Sequence, residues 1–548
     1  MRIAVAGAVG ISVIAGLAAQ DQQRPTFRTT TRLVEVSVVV RDRDGHPLQG
    51  LTADDFKISE DGKPQKIDLF TVQDDRARSS TTDSAAGAPP TGASRERTDF
   101  SNVGTRTAGS VTAILVDRVN SVDVDQKAAR DQLVKFLEQV RQEDIVALYV
   151  LETGSIRVLH DFTTDTSALL KALARYRARA NGDPEARNVV GPETGDPATG
   201  NPAIDNFLGD SETLVRGRVI RNRVEVTGAG METIARHLSG IQGRKNLIWI
   251  TSGFPIISSD EIGRQIAFSG ETGRAMRALS DANIAVYPLD DRRIPGYFPL
   301  GVTGVSPVAP AGRGAPPPTV LPASGFATTA SNQDSMQTLA DATGGRAFLH
   351  SNDLTDAIRR AADDARLTYV LGYYPSQTKW DDRFHRVNVA VSRPGVSVRY
   401  RSGYVATQTP AKVALADVAR NPLEATGLRL SARVDRVAAD LQIVMRLEPG
   451  AVTLTKKDRA AGAPGGSSTW DGAVEILIAQ TWPDGKLVKT FERTLQLQFP
   501  DDARRQIQEE GFTLTRTVTP DAGAHRLHIV MRDAATGATG SITIPLTP

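Results

Sequence analysis

Apolar residues recur along the chain with two different periods, and the change of period divides the chain into three parts. Between residues 111 and 365, short apolar runs alternate with segments in which apolar residues return every three or four positions. The runs predict buried strands, and the longer segments predict amphipathic helices. Before residue 74 and after residue 367, apolar residues tend to alternate with polar ones, which is typical of strands with one buried face. The pattern therefore predicts an α/β region between two all-β regions.

Six apolar runs in the middle region are predicted to form one sheet. They cover residues 111–116, 144–151, 156–160, 245–251, 283–290 and 346–350. Only a short turn separates the second run from the third, which leaves no room for a crossover, so the third strand is predicted as an antiparallel edge. Right-handed crossovers elsewhere favour a doubly wound sheet in the order 3-2-1-4-5-6. In that order Asp117 and Thr251 are expected to share a crevice at the carboxyl ends of the strands.

The domain boundaries follow from where the two periods change. Residues 30–73 form an N-terminal β module that is too small to bury a core alone, and we predict that residues 376–404 complete it. The α/β domain, residues 110–375, is therefore predicted to be inserted in a β-sandwich. The remaining predicted parts are two linkers and a C-terminal β-sandwich: residues 74–109, 405–424 and 425–548.

Two long stretches rich in glycine, proline and other small or polar residues interrupt the α/β pattern, at residues 180–226 and 294–330. Loops of this length are uncommon in a compact domain unless they have a role or lack order. Both are predicted to lie on the side of the sheet where α/β proteins bind ligands. Two interpretations stay open: the stretches form or gate a partner surface, or they are disordered insertions without a partner.

Residues 1–19 carry one Arg, an uncharged apolar stretch and then small residues. This layout is typical of a secretory signal peptide; the alternative is an uncleaved membrane anchor, for which the stretch is short. We therefore expect an exported protein, periplasmic or extracellular, without a transmembrane anchor after cleavage. The chain has no Cys, which excludes disulfides and thiolate metal sites. Its 65 Lys and Arg nearly balance 63 Asp and Glu, so we expect no nucleic-acid partner.

Six motifs along the chain occur together in a known family. They are L-T-A-D-D-F-K-I-S-E-D-G-K from Leu51, G-R-K-N-L-I-W-I-T-S-G-F from Gly243, A-N-I-A-V-Y-P-L-D from Ala282, A-T-G-G-R-A-F from Ala342, Y-V-L-G-Y-Y-P from Tyr369 and V-R-Y-R-S-G-Y from Val398. On these motifs the chain resembles the VWFA-related Acidobacterial domain family, whose members contain a von Willebrand factor type A domain. The resemblance implies a doubly wound von Willebrand A-like sheet. It also implies an extracytoplasmic adhesion-like or scaffold protein with no established enzymatic chemistry.

Typical von Willebrand A domains bind Mg²⁺ through a D-x-S-x-S motif after the first strand, a loop threonine and an aspartate after the fourth strand. By this resemblance Asp117 and Ser121 stand at the first and last motif positions, and Thr227 is the candidate loop ligand. Val119 replaces the middle serine, and Ser252 stands where the later aspartate is expected. An oxygen ligand and a negative charge are therefore missing. We expect a degenerate metal site and no cofactor, with Mg²⁺ binding as the open alternative.

Ordinary structural roles are the preferred interpretation of the same side chains. Asp117 is expected to hydrogen-bond the backbone of the loop that follows it. Ser121 or Asp123 is expected to cap the next helix, with Gln126 completing a capping box. Asp290 and the residue after it are expected to end their strand in a turn or a helix cap. The alternative is that they supply the missing carboxylate.

Three classes of function remain open. We favour a binding protein that contacts a protein or a cell-surface polymer through the crevice and the long loops. The second class is an accessory or enzymatic envelope component in which Asp117 and Asp290 do acid–base work. The third is a structural envelope scaffold. The chain contains no G-x-S-x-G, H-E-x-x-H or Walker A motif, so we expect no enzymatic activity.

Overall fold

The computed structural model describes the chain between residues 33 and 546, with gaps. The described residues are 33–74, 98–102, 111–121, 123–141, 144–176, 202–253, 270–290, 324–349, 353–376, 380–381, 383–406, 412–457 and 469–546. The signal peptide predicted at residues 1–19 lies outside them, as does the alternative of an uncleaved anchor.

Strands are numbered in chain order within the described residues. The strands up to the end of the α/β sheet are β1 (Val34–Arg41), β2 (Phe56–Glu60), β3 (Lys63–Gln65), β4 (Leu69–Asp74), β5 (Thr98–Ser101), β6 (Val111–Asp117), β7 (Ile145–Glu152), β8 (Ser155–Thr163), β9 (Lys245–Thr251) and β10 (Ile284–Asp290). The later strands are β11 (Leu367–Tyr373), β12 (Phe384–Val391), β13 (Ser397–Arg399), β14 (Gly403–Val405), β15 (Leu430–Val437), β16 (Asp440–Leu447), β17 (Thr455–Lys457), β18 (Thr469–Thr481), β19 (Leu487–Pro500), β20 (Phe512–Val518), β21 (Arg526–Asp533) and β22 (Thr539–Pro545).

Most of the helices lie in the middle region of the chain. They are α1 (Asp123–Leu137), α2 (Thr166–Arg175), α3 (Pro202–Leu238), α4 (Gly270–Asp281), α5 (Ser324–Thr343), α6 (Leu354–Asp363), α7 (Leu415–Arg420) and α8 (Asp501–Glu510). Among the described residues, no helix combines the length and the apolar character needed to cross a membrane.

A five-stranded sheet forms the centre of the α/β domain, in the order β10-β9-β6-β7-β8. Its first four strands are parallel, and β8 pairs antiparallel with β7 as the predicted edge hairpin. This is the order predicted for the first five strands. The sixth predicted strand, residues 346–350, is reduced in the described chain to one parallel bridge between Phe348 and Leu289. The apolar run therefore overestimates the length of this strand, because only Phe348 pairs with β10.

Apolar side chains cover both faces of this sheet, as parallel strands require. On one face, Met231 of α3 and Leu279 of α4 belong to the same buried cluster as Trp249 of β9. On the other face, Leu133 of α1 and Ile358 of α6 share a second buried cluster with the opposite side chains of the strands. The two helical layers fix the positions of the strand ends, where the candidate site lies.

Strands from before and after the α/β domain pair with each other. β1 pairs antiparallel with β11 and β13, β11 also pairs with β4, and β12 pairs with β2 and β14. Val36 and Ile58 from the early strands share one apolar core with Leu371 and Val389 from the later strands. Both sheets of this β module therefore contain strands from both sides of the α/β domain. β11 belongs to the module, although the α/β domain was predicted to extend to residue 375.

The C-terminal domain packs two sheets around a core of its own. One sheet has the order β20-β16-β15-β5, and the other contains β17, β18, β21 and β22, with β19 also paired to β18. The prediction that residues 74–109 are only a linker is wrong for β5, which pairs antiparallel with β15. Just after β5, Asn102 Nδ2 donates to the carbonyl oxygens of Ala425 and Leu428, each at 2.8 Å. β5 has four residues and one large apolar side chain, Phe100, which packs against the core of this domain; so short a segment shows no apolar period.

Helices occupy parts of both stretches that were predicted as long loops. α3 begins at Pro202, so residues 202–226 are helical, and α5 begins at Ser324. Glycines lower helix propensity, and for this reason the first stretch was predicted as a loop. Pro202, at the first helical position, is a typical helix start that the prediction did not use. Residues 180–201 and 294–323 of the two stretches lie outside the described residues.

Two further helices lie where none was predicted. α7 occupies part of the predicted linker 405–424, and its residues Leu415 and Val418 are buried in a cluster with Leu477 and Val530 of the C-terminal domain. α8 interrupts a region predicted as all β. Both are short helices, for which the apolar period has too few turns to be recognised.

Candidate functional site

Polar side chains at the carboxyl ends of the parallel strands converge on Asp117. Asp117 is the last residue of β6, and β6 lies between β7 and β9, where the order of the strands reverses. Open α/β sheets bind their ligands at this position. The Asp117 side chain is completely buried. A buried carboxylate requires hydrogen-bonding partners for both of its oxygens.

Within the described residues, five hydrogen-bond donors surround the Asp117 carboxylate. The backbone N–H groups of Val119 and Asn120 donate to Oδ1 at 2.9 and 3.0 Å. Asn120 Nδ2, Trp249 Nε1 and Thr251 Oγ1 donate to Oδ2 at 2.8, 3.1 and 2.9 Å. A carboxylate offers about four lone-pair positions, so these donors fill it. The expected bonds to the following loop are present, and donors from β9 add to them.

The loop after β6 also reaches the other predicted ligand positions. Asn120 Nδ2 donates to Thr227 Oγ1 at 2.9 Å, so the amide joins Thr227 to Asp117. The backbone N–H of Ser252 donates to Ser121 Oγ at 3.1 Å. The structure therefore brings together the four predicted positions Asp117, Ser121, Thr227 and Ser252, all of them buried.

Three of the five donors come from Asn120 and Trp249, two residues that the sequence did not assign to the site. Trp249 lies in a continuous apolar run, which favours a core residue; it is buried, but a buried indole N–H also needs an acceptor. Asn120 is three residues after Asp117 in the same loop, and Asp and Asn side chains in turns commonly hydrogen-bond groups a few residues away. The helix cap predicted from Asp123 and Gln126 depends on side chains outside the described residues.

Burial dominates the electrostatics of Asp117. It raises the pKa of this carboxyl above its usual value, and hydrogen bonds from Asn120, Thr251 and Val119 oppose that increase. The Val119 side chain is partly buried and packs against the apolar core of the α/β domain. The middle position of the motif thus adds an apolar neighbour instead of an oxygen.

Asp290 lies on the other side of β9 from Asp117. It ends β10 in register with Thr251, and its Oδ2 accepts a hydrogen bond from Gln333 Nε2 at 3.2 Å. The backbones of β10 and β6 are two strand spacings apart, about 10 Å, and Thr251 lies between them. The strands that carry Asp117 and Asp290 are therefore not neighbours, which disfavours direct acid–base cooperation. The residue after Asp290 lies outside the described residues.

A second cluster of ionisable side chains lies where the α/β domain meets the C-terminal domain. His237 Nδ1 is 2.7 Å from the carbonyl oxygen of Glu424, and Nε2 is 3.2 Å from Asp161 Oδ1. The Tyr149 hydroxyl donates to Asp161 Oδ1 at 2.7 Å. Because both ring nitrogens of His237 face acceptors, only the protonated ring satisfies both.

The two charges of this cluster stabilise each other. Burial alone lowers the pKa of His237, but the hydrogen bond and the charge of Asp161 raise it above its usual value. Burial alone raises the pKa of Asp161, but His237 and Tyr149 lower it to about 2. The cluster is therefore an ion pair within the α/β domain, and the contact of His237 with the Glu424 carbonyl oxygen connects it to the segment before the C-terminal domain.

The comparisons with known proteins are sparse. No protein-family model and no curated protein matches the chain. Among solved structures, the chain is similar to the crystal structure of the SpRpn10 VWA domain, with 14% sequence identity and a TM-score of 0.16, over 33% of this chain and 88% of that one. This likeness concerns the fold and is weak. The resemblance to the VWFA-related Acidobacterial family therefore rests on the sequence motifs alone.

Proposed function

We propose that the chain is an exported binding protein and has no enzymatic activity. In this proposal a von Willebrand A-like domain contacts a protein or a cell-surface polymer at the carboxyl ends of β6, β9 and β10. The observation that carries the proposal is the set of five donors around Asp117. They leave the carboxylate without a lone pair for a cation or for a substrate proton.

The side chain of Asn120 explains how the crevice is held without a metal ion. Its Nδ2 lies 2.8 Å from Asp117 Oδ2 and 2.9 Å from Thr227 Oγ1. In a metal-binding domain the corresponding oxygens would both face the cation. An amide donor in that place stabilises the same oxygens, and hydrogen bonds to a buried charge contribute roughly 1.5–3 kcal/mol each. The crevice is therefore a preformed, degenerate version of the metal site.

The proposed architecture presents this crevice from a rigid support. The pairing of β1 and β2 with β11 and β12 supports an α/β domain inserted in a β-sandwich, followed by the C-terminal β-sandwich. Both ends of the inserted domain then leave from one module, which fixes its orientation. Export through the signal peptide at residues 1–19 would bring the crevice to the cell exterior, where adhesion-like contacts are made.

The proposal is tested by capture of envelope components on the immobilised full chain. Residues 180–201 and 294–323, the parts of the predicted loops outside α3 and α5, are each replaced by a short Gly/Ser linker. Residues 458–468 of the C-terminal domain, which are also rich in glycine and alanine, are replaced in the same way as the matched control. We expect capture to fall with the first two replacements and to persist with the control and with chelator.

Either of two results would contradict the proposal. Capture that is unchanged by both loop replacements moves the binding surface away from the crevice. Capture that disappears with EDTA and returns with Mg²⁺ restores the metal-dependent mechanism. An enzymatic role through Asp117 and Asp290 has no comparable support, because the strands that carry them are not adjacent.

A further inference from the structure

A cluster of potential metal ligands lies in the β module, far in sequence from the Asp117 crevice. Glu60 ends β2, Asp61 begins the turn to β3, and His385 is the second residue of β12. His385 Nδ1 lies 3.0 Å from Glu60 Oε1 and 3.0 Å from Asp61 Oδ2. The backbone fixes this arrangement, because Arg386 N donates to Asp61 Oδ1 and Asp61 N donates to Arg386 O, each at 2.9 Å.

Two buried atoms of the cluster have no hydrogen-bond partner among the described residues: Glu60 Oε2 and His385 Nδ1. Glu60 is 2% exposed and His385 is 7% exposed. The two oxygens near Nδ1 are at hydrogen-bond distance, yet neither lies in a direction that an N–H group can use. Buried polar atoms without partners are rare and cost free energy. The geometry fits a nitrogen lone pair directed between the two oxygens.

The second nitrogen of His385 is held in the way that metal-binding histidines are held. Asp381 Oδ1 lies 3.2 Å from His385 Nε2. A carboxylate at this position keeps the proton on Nε2 and leaves the lone pair on Nδ1, as in carboxylate–histidine–metal arrangements. The Nδ1 lone pair is thus available to a cation placed between Nδ1 and the carboxylate oxygens of Glu60 and Asp61.

The charges around the cluster also favour a cation. Within the described residues, no Lys or Arg lies within ion-pair distance of Glu60 and Asp61, and the basic side chain nearest to both is the His385 imidazole. The Tyr404 hydroxyl donates to Glu60 Oε1 at 3.1 Å but carries no charge. Arg401 faces the Tyr404 ring at 5.9 Å and donates to Ser280 instead. A buried carboxylate such as Glu60 is stabilised by a paired charge or by a bound metal ion.

We propose that one oxygen of Glu60, Asp61 Oδ2 and His385 Nδ1 bind a divalent transition-metal ion, with Zn²⁺ as the best fit. One imidazole and two carboxylates suit Zn²⁺ better than Mg²⁺ or Ca²⁺, which prefer oxygen ligands only. Tetrahedral Zn²⁺ with bonds of about 2.0–2.1 Å separates its ligand atoms by about 3.3 Å. The separations of 3.0 Å from Nδ1 to both oxygens need only a small expansion. Water takes the fourth position.

The bound ion joins two distant parts of the chain. Glu60 and Asp61 precede the α/β domain and His385 follows it, so the ion links the β2–β3 hairpin to β12. Asp61 is 40% exposed at its side chain, which leaves a path for the ion from solvent. The site therefore stabilises the module that supports the α/β domain, independently of what the Asp117 crevice binds.

Metal content of the full chain, purified without a histidine tag, tests the proposal. The protein is stripped with EDTA, equilibrated with Zn²⁺, dialysed and measured by mass spectrometry and by calorimetry. We expect one Zn²⁺ per chain, a rise in melting temperature, and visible absorption typical of four-coordinate Co²⁺ after exchange. His385→Gln is expected to abolish binding, and Asp381→Asn to weaken it about 10–100-fold. His46→Gln, in an exposed Asp–His cluster, is the matched control and is expected to bind as the parent does.

Several outcomes overturn the proposal. They are the absence of stoichiometric Zn²⁺ in the parent chain, unchanged affinity in a folded His385→Gln variant, and loss of affinity in the His46→Gln control. If His385→Gln does not fold, Asp381→Asn decides, since it leaves all three ligands in place; unchanged affinity there also overturns the proposal. None of these results affects the Asp117 crevice, so the two proposals fail separately.

Discussion

Replacement of Asp117 by Asn tests whether this side chain is a hydrogen-bond acceptor at the centre of the α/β domain. The change keeps the shape and turns one oxygen into an NH₂ donor. If that NH₂ takes the Oδ1 position, it faces the backbone N–H groups of Val119 and Asn120. If it takes the Oδ2 position, it faces donors from Asn120, Trp249 and Thr251. At least two buried hydrogen bonds are lost in either orientation.

The magnitude follows from those lost bonds. At roughly 1.5–3 kcal/mol for each bond to a charged group, the loss is about 3–6 kcal/mol. Removing the charge also removes the cost of burying it, the cause that raises the pKa of Asp117. We therefore expect Asp117→Asn to destabilise the α/β domain by about 3 kcal/mol, a large part of the 5–15 kcal/mol typical of a domain.

Hydrogen exchange of the β6 and β9 amides, measured in EDTA, reports the stability of this domain separately from the two β domains. Asp131→Asn on the exposed face of α1 is the matched control and is expected to change stability by less than about 0.5 kcal/mol. If Asp117→Asn is as stable as the parent in EDTA, the carboxylate is not held as described. A stabilised variant would indicate an uncompensated charge that awaits a cation.

Three further predictions concern the supports of the site. The His237–Asp161 ion pair should add most to the free energy of unfolding between about pH 4 and 6.5. The pKa of His237 is raised, so its contribution is lost as pH rises above 6.5; the pKa of Asp161 is lowered to about 2, so its contribution is lost as pH falls below 3.8. A urea-unfolding series across pH checks this, and His237→Gln should flatten the pH dependence, which solvent screening of the half-exposed Asp161 keeps small. Gly240→Ala should destabilise the domain junction by about 1–3 kcal/mol, because the new Cβ meets the backbone oxygen of Thr426; unchanged melting would contradict this close approach. Residues 25–74 expressed alone should be disordered, and joining them to residues 366–406 should give dispersed amide signals in NMR; cooperative unfolding of the short fragment would refute the shared core.

The strand order of the α/β domain was predictable because short, continuous segments of the sequence identify each strand and each connection. Each buried strand is a continuous apolar run such as residues 245–251, and the short turn before β8 permits only a hairpin. The proximity of Asp117 to Thr251 followed from that order, and their hydrogen bond of 2.9 Å is its result. Sequence periodicity was therefore sufficient to predict which strand ends form the site.

The contacts that decide the chemistry were not predictable in the same way. Asn120 meets Thr227 across 107 positions of the chain, and a single amide leaves no period in the sequence. Glu60 precedes the α/β region of the chain and His385 follows it, yet the two side chains meet. β5 was missed for a related reason, since a backbone ladder holds it to β15. Polar contacts between distant segments depend on the assembled fold and become visible only with it.

A Mg²⁺ titration of the α/β domain tests the central claim most directly. The full chain carrying His385→Gln, which removes the proposed Zn²⁺ site, is followed by calorimetry and by hydrogen exchange at β6 and β9, from EDTA to low millimolar Mg²⁺. We predict no heat of binding and no change in exchange, because five donors already occupy Asp117, and one of them, Asn120 Nδ2, also donates to Thr227. A saturable slowing of exchange with Mg²⁺ that disappears in Asp117→Asn would contradict the account.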